Sequence, residues 1–255
     1  METRVALVTG GTYGIGRAIT LALARENFAV VAFGNQPAQG QETSRLAREE
    51  GLEPTILDGD VSARSDVERI VAEAARLYGR IDVLCNNAAI RIEGNLLETE
   101  EQTWDRIMAV NLKGVYLVTR AVLPHMICRQ AGVVITTGST SGYGSKNLIA
   151  YATAKGALAA FTMSLALDHA KDHVRAVLVV PGFTLTGMTE HSAPERLAAM
   201  AERSVAGRVG LPKDIANAVA FLASEKAATI SGAILEVGGM HGQMTGLGPP
   251  RSTKS

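Results

Sequence analysis

Tyr151 and Lys155 stand four residues apart in the stretch LIAYATAK (148–155), with only small residues between them. On a helix, positions i and i+4 share a face, so a phenol and an ammonium spaced this way point in one direction. An isolated tyrosine has a pKa of about 10 and is a poor base at neutral pH. A cation within about 4–6 Å favours the phenolate and lowers that value. Making phenolate common at pH 7 takes a shift of up to about 3 units, or roughly 4 kcal/mol. The pair therefore reads either as a tuned acid/base or as a core-capping tyrosine beside a solvated lysine.

A second stretch carries phosphate chemistry. TGGTYGIG (9–16) follows the first apolar run and opens a helical pattern. Gly10, Gly14 and Gly16 leave room for the backbone to approach a pyrophosphate, whose charge suits the N–H groups at a helix start. Thr12, Tyr13 and Ile15 share that loop and are candidate cofactor contacts with it. The spacing departs from G-x-G-x-x-G; it is T-G-x-x-x-G-I-G. No pair among the five histidines has ligand spacing, and neither do the two cysteines, Cys85 and Cys128, so no metal is expected. Both thiols are expected to be free and buried.

The elements that must position these residues alternate along the chain. Apolar runs at 4–10, 28–34, 53–61, 81–88, 132–139, 174–182 and 232–239 read as seven strands. Several are apolar on successive residues, which suits strands covered on both faces of a parallel sheet. Helix-period segments at 16–26, 65–79, 155–170 and 214–224 lie between them. The pattern predicts an α/β chain with a doubly wound, seven-stranded parallel sheet flanked by helices on both faces. No linker divides it, so residues 1–241 are expected to form one domain. The Gly/Pro/Ser-rich stretch 242–255 is expected to be a flexible tail.

Composition excludes other classes. Twenty-five basic and 25 acidic residues give zero formal net charge, which argues against a nucleic-acid partner. No run approaches the roughly 20 apolar residues that cross a bilayer, and METRVALVTGG has no leader pattern, so neither a membrane nor secretion is expected. A reducing cytoplasm fits.

TGGTYGIG, Asp60–Val61, NNAA (86–89), Asn111 in VNLKG, Ser139, YATAK (151–155) and PGFTLT (181–186) occur in that order. Together they strongly resemble the short-chain dehydrogenase/reductase family in its single-domain, Rossmann-type form, over about residues 3–240. The resemblance implies that Tyr151 is the acid/base and that Lys155 lowers its pKa and binds the nicotinamide ribose. Ser139 would hold the substrate oxygen, and Asn111 would hold a helix and a water in the relay behind Lys155. Hydride transfer needs such a positioned acid, tuned pKa and polarised oxygen. Asp60, Val61, Asn87, Ala88, Pro181, Gly182, Thr184 and Thr186 are implied cofactor contacts. Asn111 also reads as a helix brace, and Ser141 rivals Ser139. Ser139 precedes Tyr151 by twelve residues where the family commonly has thirteen, which points to a shorter pocket loop. Ala89 and Val177 depart from the family's usual Gly and Asn, and EVGGM lacks the usual aspartate.

The resemblance implies NADP or NAD as cofactor. Gly34 stands where NAD-binding relatives carry an acid, with Asn35 next to it. No acid repels the extra phosphate of NADP and no arginine attracts it, so the lean to NADP is slight. Residues 184–208 match the family's substrate lid, with Met188, His191 and Met200 as candidate pocket residues. The expected activity interconverts a secondary alcohol and a ketone on a small molecule such as a sugar, polyol or cyclic alcohol. An alternative is a 3-oxoacyl-carrier-protein reductase. Docking an acidic carrier favours cations at the mouth, and only Arg129, Lys171 and Arg175 stand in the stretches 123–132 and 169–176. A non-catalytic nicotinamide redox sensor is disfavoured by the complete set Asn111, Ser139, Tyr151 and Lys155. The family commonly forms homotetramers or homodimers through helices near 100–125 and 155–170.

Overall fold

The computed structural model describes residues 3–238 apart from 188 and 190. The expected tail at 242–255 and Met188 lie outside the described residues.

Seven parallel strands form one sheet in the order β3-β2-β1-β4-β5-β6-β7. They are β1 (Val5–Thr9), β2 (Ala29–Gly34), β3 (Thr55–Asp58), β4 (Val83–Asn86), β5 (Gly132–Thr137), β6 (Val174–Pro181) and β7 (Ile234–Val237). Each falls inside an expected run. The run 53–61 is shortened because the chain turns out after Asp58, so Asp60 and Val61 leave the sheet edge and become free to line a cleft. All five residues of β1 are buried, as an apolar strand covered on both faces requires.

Two helical layers cover the sheet. On one face α1 (Gly14–Arg25) and α8 (Pro212–Ala223) enclose a core with Val8, Ile19, Leu23, Val177 and Val219. Val177 is fully buried in that cluster, so an apolar residue suits the position where asparagine is usual. On the other face α3 (Arg64–Tyr78) and α5 (Gly114–Arg129) pack Ile70, Val118, Val122 and Met126 onto Leu7, Val31 and Leu84. α6 (Ile149–Asp168) lies beside them, with Leu158 against Leu178 and Val180. α2 (Pro37–Glu49) and α7 (Pro194–Arg203) were not among the expected helices; α7 builds the region over the cleft.

Three local findings correct the sequence reading. α6 begins at Ile149, six residues before the expected start, because Ala150 and Ala154 pack on Ile107; this puts Tyr151 within the first helical turn. α4 (Glu101–Met108) and α5 are joined by a π-helical turn, Ala109–Lys113, that carries Asn111 inward. Finally, Glu101–Arg129 and Ile149–Asp168 do reach the length and mean hydropathy (1.2 each) of membrane-crossing helices. Here they flank the sheet, with Glu101–Arg129 more buried than Ile149–Asp168. Cys85 is buried as expected, but Cys128 is exposed, on the outward side of α5.

Candidate active site

The sheet order reverses between β1 and β4, and ligands of open α/β sheets bind beyond the strand ends at such a switch. A cavity of about 650 Å³ opens there. Thr9, at the end of β1, holds its floor: its hydroxyl accepts the N–H groups of Asn87 (2.9 Å) and Ala88 (3.0 Å). Sequence reasoning missed this threonine, whose partners lie just past the end of β4, 78 and 79 residues on.

The glycine loop crosses that floor. Gly10 has φ +59°, and a Cβ there would sit 2.8 Å from the Ala88 Cα. A Cβ on Gly16 would sit 1.9 Å from the Gly10 carbonyl oxygen, so α1 starts in contact with the loop before it. Gly10, Thr12, Tyr13, Gly14 and Ile15 line the cavity; Gly16 stands behind them. This backbone cradle at a helix start fits a pyrophosphate, the chemistry of a nicotinamide dinucleotide.

One end of the cavity is lined by Gly34, Asn35, Gln36, Asp60 and Val61. A side chain at Gly34 would press on the Thr12 hydroxyl at 2.5 Å, so Thr12 fills the space an acid there would need. Asp60 accepts from Arg106 (2.9 Å) and from the Ser62 hydroxyl (2.7 Å). Burial works against its charge, but these bonds hold its pKa below the usual carboxylate range. Arg106, which also lines the cavity, was not anticipated.

Asn87, Ala88, Pro181, Gly182, Thr184 and Thr186 line the cavity as well, together with Ser139, Tyr151 and Lys155. Gly156 of α6 lets the helix approach the Thr140–Tyr143 turn closely: a Cβ on it would meet the Gly142 oxygen at 2.8 Å. That approach brings Ser139 beside Tyr151, where its hydroxyl favours the phenolate. Ser139 Oγ also accepts the Ser141 N–H (3.1 Å). Ser139 and its rival Ser141 both line the cavity, and Ser139 is the one that lies against Tyr151.

Tyr151 is only 9% exposed. Burial raises its pKa above the ordinary tyrosine value, and the Ser139 hydrogen bond and the Arg91 charge only partly offset this. The expected lowering by Lys155 is thus not what the site shows. The Lys155 Nζ is 6.0 Å from the tyrosine ring centroid and donates to the Thr137 carbonyl at 2.6 Å. Burial also weakens its own charge and brings its pKa down to about 8.

Asn111 is buried behind the cavity. Its Oδ1 accepts the Ile90 N–H and its Nδ2 donates to the Ile90 carbonyl, both at 2.9 Å. These two bonds brace the loop after β4, where the resemblance had implied that Asn111 holds a helix and a water in the relay behind Lys155. Ala89 needs no positive φ, so its methyl is accommodated. Met200 lines the cavity, whereas His191 is outside the lining. Ile90, Arg91, Glu93, Phe183 and Arg196 line the substrate end without having been anticipated; Arg91 directly follows the NNAA motif and its neighbour Ile90, the one signal that pointed there. No cluster of His, Cys, Asp and Glu fit for a metal occurs among the described residues.

A family model described as short chain dehydrogenase matches residues 4–197. The chain is 34% identical over 244 residues to a 3-oxoacyl-[acyl-carrier-protein] reductase FabG of Thermotoga maritima. It is 37% identical over 244 residues to the protein of that name from Escherichia coli. Each match covers 94% of this chain and 98% of the relative. The crystal structure of gox2181 superposes with a TM-score of 0.87 at 31% identity, over 93% of this chain and 95% of that one. The chain is an NAD(P)-dependent oxidoreductase and belongs to the short-chain dehydrogenase family.

Proposed function

We propose that this chain reduces the C3 ketone of a 3-oxoacyl compound to a hydroxyl. The observation that carries this is the near-full-length likeness to two 3-oxoacyl-[acyl-carrier-protein] reductases, on a chain whose cleft brings Ser139, Tyr151 and Lys155 together. It replaces the sugar or polyol substrate as the leading assignment. When bound, the nicotinamide cofactor supplies the hydride for the C3 carbon. Ser139 holds the ketone oxygen, and Tyr151 gives that oxygen its proton. A raised pKa keeps the phenol protonated at neutral pH, which is the form reduction needs. Lys155 is held at the cofactor side by Thr137, and Asn111 fixes the loop at Ile90. NADPH is the proposed donor, because no carboxylate at 34–36 opposes its phosphate. Tyr116, Met163 and Leu167 are exposed on α5 and α6, in keeping with a dimer or tetramer built on those helices.

The polar lining of the substrate end, with Ser141, Ser145, Asn147 and Glu93, favours a second reading: a sugar, polyol or cyclic alcohol. The test is NADPH and NADH titration by nicotinamide fluorescence, then turnover of 3-oxobutanoyl-CoA beside a panel of sugars and cyclic ketones. Tyr151→Phe should lower kcat by about 10²–10⁴ with cofactor binding kept. Turnover within tenfold of wild type would remove Tyr151 from the chemistry.

A further inference from the structure

Neither the glycine loop nor the acid/base pair accounts for Arg91. It lines the cavity together with Ser139 and Tyr151, and its segment is pinned on both sides. Before it, Ile90 is clasped by Asn111 through two hydrogen bonds. After it, Gly94 donates to the Asn147 carbonyl at 2.9 Å and accepts the Ile149 N–H at 3.3 Å. Those bonds tie the segment to the start of α6, the helix that carries Tyr151. A side chain so placed sits on a framework rather than on a free loop, as binding groups require.

Its charge balance points to an anion. Arg91 pairs with Glu93 at 2.7 Å, but the arginine side chain is 22% exposed and the glutamate 64%. The guanidinium is thus the more buried of two groups that both line the cavity. Lys146 and Arg196 line the same end, and Glu93 is the only carboxylate there among the described lining residues. An ion pair with so exposed a partner is weak, so an incoming anion can exchange with Glu93.

We propose that Arg91 is a specificity-determining residue that takes the carboxylate of the substrate, so that this chain reduces a short 3-oxo acid as the free anion rather than as a thioester. This rests on the 3-oxoacyl assignment above. A carboxylate offers the guanidinium two charge-assisted hydrogen bonds, about twice as strong as neutral ones. A thioester offers one neutral acceptor. Gripping C1 also fixes where C3 falls relative to Ser139 and Tyr151.

The experiment compares 3-oxobutanoate, its ethyl ester and its neutral N-acetylcysteamine thioester, with NADPH and NADH each tried at saturation. The acid should show a kcat/KM at least tenfold above both neutral forms. Arg91→Gln should raise the KM for the acid tenfold or more and bring the acid-to-ester ratio close to one. Glu93→Gln, which removes the competing carboxylate, should lower that KM. Equal or better turnover of ester or thioester, or a ratio that Arg91→Gln leaves in place, overturns the proposal while the 3-oxoacyl assignment stands. Failure of all three compounds alongside turnover of sugars or cyclic ketones overturns both.

Discussion

Lys155 should cost this protein stability, and the cost should depend on pH. Its ammonium is buried, with a pKa of about 8 in place of the ordinary 10.5. The difference of 2.5 units corresponds to about 3 kcal/mol. Between pH 8 and 10.5 the unfolded chain binds the lysine proton more fully than the folded one, so stability rises with pH across that window. Below pH 8 both forms are charged and the full penalty is present. Lys155→Met keeps the length of the side chain and removes the charge, at the cost of the 2.6 Å hydrogen bond to the Thr137 carbonyl. Leaving that carbonyl unpaired costs about 1–3 kcal/mol. The variant should therefore equal or exceed wild type by about 0–2 kcal/mol at pH 7, and fall below it near pH 10. Urea unfolding of both proteins without cofactor, at pH 7, 8, 9 and 10, measures the difference; titrations elsewhere in the chain cancel. The reasoning predicts a swing of about 2–3 kcal/mol in favour of wild type. A difference that stays constant over this range would show that the Lys155 ammonium is not desolvated in the folded state.

Other outcomes follow from the same geometry. Gly16→Ala should weaken NADPH binding at least tenfold in a fluorescence titration, since the added methyl meets the Gly10 carbonyl oxygen at 1.9 Å and the loop must move. Asn111→Ala should lower unfolding free energy by about 1–3 kcal/mol, because the partly buried Ile90 N–H and carbonyl each lose a partner; an unchanged urea midpoint would contradict the brace. A thiol reagent at pH 8 should modify one cysteine of the native protein and both after unfolding. Cys128 is exposed, whereas burial pushes the Cys85 thiol up to about 12.

The seven strands, the glycine loop and the Tyr151–Lys155 pair were legible in the sequence because their signals are local. A run such as VALVT marks a strand covered on both faces, and a four-residue spacing marks a shared helix face wherever the helix lies. The residues that complete the site were not legible, because their partners are distant in the chain. Thr9 binds the backbone of 87–88, and Asn111 binds Ile90 from a π turn that no residue pattern announces. That Ser139 lies against Tyr151 depended on how closely Gly156 lets α6 approach the preceding turn. Arg91 entered the cleft because Asn111 and Gly94 tie its segment on either side. The direction of the Tyr151 shift also required the fold: a neighbouring lysine argued for a lower pKa, but burial by every element around the phenol raised it. Periodicity and motif spacing belong to the chain, so the sequence alone determined the family of the fold and singled out Tyr151 and Lys155 as the proposed acid/base pair. Desolvation and long-range hydrogen bonds depend on all the atoms that surround a group, so only the tertiary structure decided the charge states and the shape of the substrate end.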